Sequence, residues 1–399
     1  MNSLFRMAAA IGIIAAAVAA PAGPRWAELY RIGELTVVPD PSFGRGVDWE
    51  AMVFDGFQDI AVGPDGSIFV ANSRRDNIQK FDPTGKLVLT FGKRGQGPGD
   101  LQTPGSPCIL DGKILVVSEY ALLHRISLFD LNGKFLKTLK TERPVYDVVP
   151  LRANRIAYLS LKSSQATGAR AAGVGSFPMD FRVTVKDVAT GVEREAWKGT
   201  GSSEFVRLAG GGSLSWGSSM KGAPFIAATA EGDLAVGFSS AARIEIFSPQ
   251  GEPLRGFALE IPAVPVLPEA VVRFKTAVLR DMDEEGAGRP KSERDAVAKA
   301  DLALFFSEVF PLYRDLRVDS DGNFLFFLWD DEFGRGPIRI AAYSPLGRPI
   351  ARWELKPGDF DLSIDSRFRR LQFSSVGLIG LGPLKADPYV SPRLFRCRL

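Results

Sequence analysis

Three aspartates, Asp59, Asp147 and Asp315, stand at the same register upstream of three turn signals, Pro64-Asp65-Gly66, Ala153-Asn154 and Asp321-Gly322. Carboxylates repeated at one register converge only if the repeats are arranged about an axis. There they could hold a calcium-type ion, since hard cations take oxygen ligands, or a basic ligand. The same register elsewhere holds Gly105, Phe225 and Arg370. In ring order Arg370 falls between Asp315 and Asp59, which favours charge pairing over a metal. Carboxylates near turns also accept backbone N–H bonds, a structural use that needs no ligand.

Other catalytic chemistry finds little support. His124 is the only histidine, so a zinc site built on several imidazoles is excluded. A serine–histidine triad would have to use His124, and no Gly-x-Ser-x-Gly elbow accompanies it. With 49 basic and 46 acidic residues, the chain lacks the basic excess of a nucleic-acid binder. Cys108 and Cys397 fall in strands held apart by an intervening unit, and a disulfide needs Cα atoms within about 7 Å. Both are expected as buried free thiols.

The amino terminus reads as an export signal. Arg6 gives the positive start, Met7 to Ala16 is apolar, and Ala17-Val18-Ala19 offers small residues for cleavage. The apolar run is shorter than the ~20 residues that span a bilayer. Residues 1–19 are therefore expected as a signal peptide, and residues 20–399 as one periplasmic or secreted domain with no membrane span.

The elements that would position the aspartates recur along the chain. Turn signals pair Asp65-Gly66 with Thr84-Gly85, Asp111-Gly112 with Asn132-Gly133, and Ala153-Asn154 with Thr190-Gly191. Glu231-Gly232 with Gln250-Gly251 and Asp321-Gly322 with Leu346-Gly347 complete the set. Each unit carries four short apolar-alternating strands, a to d, and a period near ~45 residues with four strands per unit is the mark of a β-propeller. The fold class expected is all-β, a six-bladed β-propeller of four-stranded blades. The sixth unit stops after three strands at the carboxyl end, so Leu35-Thr36-Val37-Val38 is expected to supply its fourth strand and close the ring.

The stretch from Asp55 to Pro104 carries Ile60-Ala61-Val62-Gly63-Pro64-Asp65-Gly66 and Phe91-Gly92-Lys93-Arg94-Gly95-Gln96-Gly97-Pro98-Gly99-Asp100. It resembles an NHL-repeat blade, strongly over the first two units and by pattern over the rest. That resemblance implies a six-bladed propeller, most often a binding surface and in a minority of cases an enzyme. The lone histidine removes the amidating lyases among NHL-like enzymes. Gluconolactonase- and paraoxonase-like propellers hold a divalent ion through channel-facing Asn, Asp and Glu; Asp59, Asp147 and Asp315 are the nearest equivalents, without a matching motif around them.

Antiparallel strands send alternate connections to opposite ends. The a–b and c–d turns are tight, whereas the b–c and d–a connections include Ser163 to Gly175, Gly199 to Gly222 and Asp330 to Pro337. The largest insertion, residues 263–311 between blades four and five, reads as a helical hairpin. Its stripes are Val271, Phe274, Val278, Met282 and then Val297, Ala300, Leu304, with Ser292 and Asp295 as a capping box. It is expected as a buttress rather than a lid. The channel mouth on that face is expected to be Asp59, Asp147, Phe225, Asp315 and Arg370. The function expected is an exported non-catalytic scaffold, without a cofactor, that binds a peptide, glycan or protein on its long-loop face. The alternative is a divalent-metal-dependent hydrolase or lyase acting at the mouth.

Overall fold

The computed structural model describes residues 25–49, 52, 54, 58–120, 124–163, 167–168, 173–208, 213–215, 220–284, 291–329, 337–360, 371–382 and 393–397. The expected signal peptide and Arg370 lie outside the described residues.

Among the described residues the strands form six sheets, taken up in sequence order. The first holds Gln58–Val62, Ile68–Asn72, Asn77–Phe81 and Leu87–Phe91. The second holds Pro104–Leu110, Ile114–Glu119, Arg125–Asp130 and Phe135–Lys140. Within these sheets neighbouring strands are antiparallel. The fourth, Pro224–Ala228, Leu234–Phe238, Arg243–Phe247 and Pro253–Ala258, repeats the pattern.

One turn chemistry recurs. Asp82 Oδ1 accepts the N–H groups of Thr84 at 2.8 Å and Lys86 at 3.1 Å. Asp130 does the same for Asn132 and Lys134, and Asp319 for Asp321 and Asn323. Ser248 uses its hydroxyl for Gln250 and Glu252. The residue before each strand restart is a glycine with positive φ, such as Gly85 at 87°, a conformation that costs glycine nothing. Short polar side chain and glycine together close the connection and fix the strand register.

Each sheet buries its apolar faces against its neighbours. Phe69 and Ile78 of the first sheet pack with Leu115 and Phe129 of the second. Leu128 and Ile126 of the second pack with Val148 and Ile156 of the third. The series continues from third to fourth, fourth to fifth and fifth to sixth. It returns from sixth to first, where Ile379, Leu381 and Leu394 meet Ile60, Val70 and Phe81. An all-β fold of several mainly four-stranded sheets packed in this order is consistent with a β-propeller.

The third sheet departs from the sequence reading. Its strands Gly173–Asp187 and Glu193–Arg207 form a long hairpin that extends into the connections Ser163 to Gly175 and Gly199 to Gly222. Part of the stretch read as glycine-rich loop is thus strand. Gly175 is there because a Cβ would come within 2.5 Å of the Phe205 ring, so it makes room for an aromatic cover rather than a turn.

The amino-terminal strand is a correction. Glu34–Thr36 pairs in parallel with Pro349–Lys356, the outer strand of the fifth sheet, with Leu35 opposite Leu355. It is not a strand of the sixth sheet, which among the described residues has three: Leu371–Ser374, Gly377–Gly382 and Arg393–Cys397. The cause lies upstream, in the helix α1 (Trp26–Tyr30). Its Trp26 backbone N–H donates to Asp321 Oδ2 at 2.9 Å, its Trp26 Nε1 to Ser320 Oγ at 3.0 Å, and its Tyr30 hydroxyl to Asp319 Oδ2 at 2.8 Å. Those bonds tie the segment to the fifth sheet, and Tyr30 stacks on Trp353 with ring centres 4.8 Å apart. The chain then reaches the sixth sheet, where the Asp40 N–H donates to the Arg396 carbonyl at 2.7 Å. The Gly44 N–H ends the path on the Thr84 carbonyl of the first sheet at 2.6 Å.

Candidate functional site

The inner strands of all six sheets line one cavity of about 260 Å³, with Val62, Cys108, Val149, Ala227, Leu316 and Gln372 contributed one from each. Most of the residues that line it are aliphatic, and consecutive residues of the inner strands border it. Arg317 is the charged residue that borders it.

The predicted mouth residues sit at or near the starts of these strands, and the structure gives the carboxylates protein partners. Asp59 is buried, and its Oδ2 accepts the Ser106 N–H of the second sheet at 2.7 Å. A register shift between Gly105 and Cys108 aims that N–H, with Ser106 held at φ 41°. A bulge is a usual device for re-aiming a backbone group. Asp147 Oδ1 accepts the Val148 N–H at 2.8 Å, beside a second register shift. Asp315 is buried and pairs with Arg317, whose Nε and Nη2 lie 2.7 and 2.6 Å from Oδ2. Arg317 Nη1 then donates to the Leu371 carbonyl of the sixth sheet at 2.9 Å. Phe225 packs its ring 5.7 Å from that of Tyr313. Among the described residues no three His, Cys, Asp or Glu side chains come together in a group that could hold a metal ion.

Cys108 and Cys397 are both free and buried, as the strand assignments require. Burial pushes the Cys397 thiol up to about 12.

A polar centre that the sequence reading missed joins the first two sheets. Glu119 is fully buried, and its Oε1 accepts Arg125 Nε and the Ser127 hydroxyl, each at 2.7 Å. Its Oε2 accepts the Gln102 N–H at 2.8 Å. Arg125 Nη2 donates to the Gly95 carbonyl at 3.1 Å and the Asp100 carbonyl at 3.0 Å, and Nη1 to the Gln96 carbonyl at 3.3 Å. The Gly95-Gln96-Gly97-Pro98-Gly99-Asp100 motif is therefore the seat of a buried guanidinium. The spacing Glu-x5-Arg-x-Ser in a b–c connection was the available signal.

The long-loop face carries a cap. Helix α2 (Pro268–Glu284) starts at a proline, whose fixed φ suits a first helical position, and α3 (Lys291–Lys299) follows. Lys291 already belongs to α3, so Ser292 lies inside the helix rather than at the capping position. Phe274, Val278, Met282, Val297 and Ala300 are buried as the stripe requires. Leu304 is instead exposed, because the chain tightens into a 3-10 turn (Leu302–Phe305) that buries Leu302 and Phe305. This apolar cluster includes Val206 of the long hairpin and Trp329, which follows a strand of the fifth sheet. The insertion is thus packed onto the sheets below it.

No protein-family model matches the chain, and no curated protein sequence matches it. Solved structures resemble it in fold. A member of the DUF4221 family from Bacteroides vulgatus has a TM-score of 0.48 and 10% identity, over 90% of this chain and 94% of that one. The calcium-binding protein regucalcin from Agrobacterium tumefaciens has a TM-score of 0.37 and 9% identity, over 91% and 95%. A gluconolactonase from Xanthomonas campestris has a TM-score of 0.36 and 12% identity, over 82% and 83%. Likenesses this distant carry no information on activity.

Proposed function

We propose that the chain is an exported six-bladed β-propeller that acts as a non-catalytic scaffold, taking a protein, peptide or glycan partner on its long-loop face. The six-membered ring is supported by the cavity bounded by one strand from each sheet. Export is supported by the residues around Arg6 and Ala17-Val18-Ala19. One observation carries the non-catalytic reading: the buried carboxylates Asp59 and Asp315 are spent on Ser106 and on Arg317. Asp59 fastens the first sheet to the second, and Asp315 holds the Arg317 that reaches the sixth, uses that compete with binding an ion or transferring a proton.

The surface supports the choice of face. Leu267, Leu304 and Val309 of the cap region are apolar yet exposed, side chains that a partner could cover. A photocrosslinking amino acid at Leu304 or Val309 should give adducts in the producing cell. The same group at Leu346 or Val192, exposed in tight turns of the opposite face, should give none. Equal adducts from both faces, or adducts from the tight-turn face alone, would overturn the assignment.

The metal-dependent hydrolase or lyase remains the competing reading and has its own discriminant. Calcium bound to the native state must raise the melting temperature by mass action. A rise lost in Asp59→Asn/Asp147→Asn/Asp315→Asn, with turnover in a lactone and ester screen, would replace the scaffold by the enzyme.

A further inference from the structure

A cleft of about 480 Å³ opens where the chain leaves the fourth sheet and crosses the outer part of the fifth. Pro262, Leu312 and Leu328 form its apolar walls, and Arg339, Arg352 and Glu354 supply its charge. The sheet register explains that division. Arg339 stands opposite Glu354 and Ala341 opposite Arg352, so these charged side chains share one face. Ile340 and Trp353, which also border the cleft, alternate to the other face and are buried in the cluster that includes Tyr30.

The three charges do not neutralise one another. Arg339 Nε lies 3.4 Å from Glu354 Oε1 in an exposed pair, a contact of little strength in water. Arg352 donates one Nη2 hydrogen to the Glu260 carbonyl. Two guanidinium groups against one carboxylate leave one positive charge beside an aliphatic wall. The volume is that of a small-molecule site, since such pockets run about 300–1,000 Å³. Gly33 and Val264 also border the cleft.

We propose that this cleft, at the base of the cap, binds a small organic monocarboxylate with an apolar body. The carboxylate faces Arg352 and Arg339, where planar guanidinium suits two parallel N–H···O bonds. The apolar body lies against Pro262, Leu312 and Leu328. No bond is made or broken, so the site requires no co-reactant.

2-Naphthoate serves as the probe, with the uncharged 2-naphthamide as its control, in calorimetric titrations of the full mature chain. The acid should bind saturably, and the amide should bind at least about tenfold more weakly, a tenfold step corresponding to about 1.4 kcal/mol. Arg339→Ala/Arg352→Ala should weaken the acid by a similar factor while leaving the amide unchanged. Leu312→Trp, which fills the cleft, should remove both. Both arginines are exposed, so the double variant decides the question even if Leu312→Trp fails to fold. Absence of saturable binding, equal affinity for acid and amide, or affinity unchanged in the double variant would each overturn the proposal.

Discussion

At the residue scale the Glu119–Arg125 pair shows what one buried charge centre does for the structure. Arg125 is held by Glu119 and by three carbonyls of the loop that follows the first sheet. Removing one partner strands the other charge in a site shut from water, typically at a cost of about 3–5 kcal/mol. Arg125→Ala should therefore lower the unfolding free energy from urea melts by an amount of that order, whereas loss of an exposed pair such as Arg339–Glu354 should cost less than about 1 kcal/mol. Equal effects in urea melts would show that the centre is not buried. Asp319 titrates in the opposite sense to the ordinary acid-labile carboxylate. Burial holds its pKa above the usual range, despite the hydrogen bonds from Asn323 and Tyr30 that pull it down. A raised folded-state value contributes stability that is complete below the unfolded value of about 4 and is lost as pH rises through the folded one. The stability of wild type relative to Asp319→Asn, measured at about pH 4 and at a higher pH, should thus fall with the rise. Melts at the two pH values that give the same difference would refute it.

At the element scale the legible parts of the fold are those with local causes. Asp82, Asp130 and Asp319 announce their turns because each bonds amides two and four residues ahead, and such spacing is written in the chain. The hairpin Gly173–Asp187 with Glu193–Arg207 was hidden because Gly175 answers to Phe205, a residue on the neighbouring strand. Of the candidate site, the strand starts bearing Asp59, Asp147 and Asp315 were legible, but their partners were not. The Ser106 amide reaches Asp59 only through a bulge, and no sequence pattern reports it. Ala153 offers a test of the turn argument. It occupies φ 60° beside Asn154 at 55°, a left-handed conformation costing an L-residue about 1–2 kcal/mol. Glycine removes that strain and adds about 0.5–1 kcal/mol of unfolded-state entropy. Ala153→Gly should be stabilising by about 0.5–1 kcal/mol, and a lower urea midpoint would show that the turn tolerates alanine without strain. The cap is a larger element with the same logic. Its Phe274, Phe305 and Phe310 pack in one cluster with Trp329, which follows a strand of the fifth sheet, and burying one such side chain is worth about 1.5–3 kcal/mol. Replacing residues 263–311 with a Gly/Ser linker should lower the melting temperature markedly, and an unchanged melt would make the insertion a lid.

At the scale of the whole molecule the question is how the first and last sheets are held. The sixth sheet meets the first through Ile379, Leu381 and Leu394 against Ile60, Val70 and Phe81, and the amino-terminal segment runs across the outside of that seam. Trp26 and Tyr30 anchor it on the fifth sheet through Ser320, Asp321 and Asp319. Asp40 then pairs with Arg396 of the sixth sheet at 2.8 Å, and Arg396 Nη1 donates to the Pro83 carbonyl of the first sheet at 2.8 Å. Phe43 completes the crossing beneath the Arg396 guanidinium, 5.1 Å from its ring centre. The segment therefore works as a strap over three sheets rather than as one strand completing a single sheet. It also covers backbone edges that would otherwise offer N–H and C=O groups to another chain. Removing residues 25–49 strips Trp26, Tyr30 and Val37 from one cluster and Phe43 from the next. The truncated chain should melt at a lower temperature and aggregate on concentration. Because the strap's contacts with the sheets are non-covalent, a synthetic peptide of residues 25–49 added in excess should restore much of the loss by binding the native state. Unchanged melting on truncation would mean that the seam holds without the strap. A loss that the peptide cannot reverse would mean that the segment must be joined to the first sheet to act.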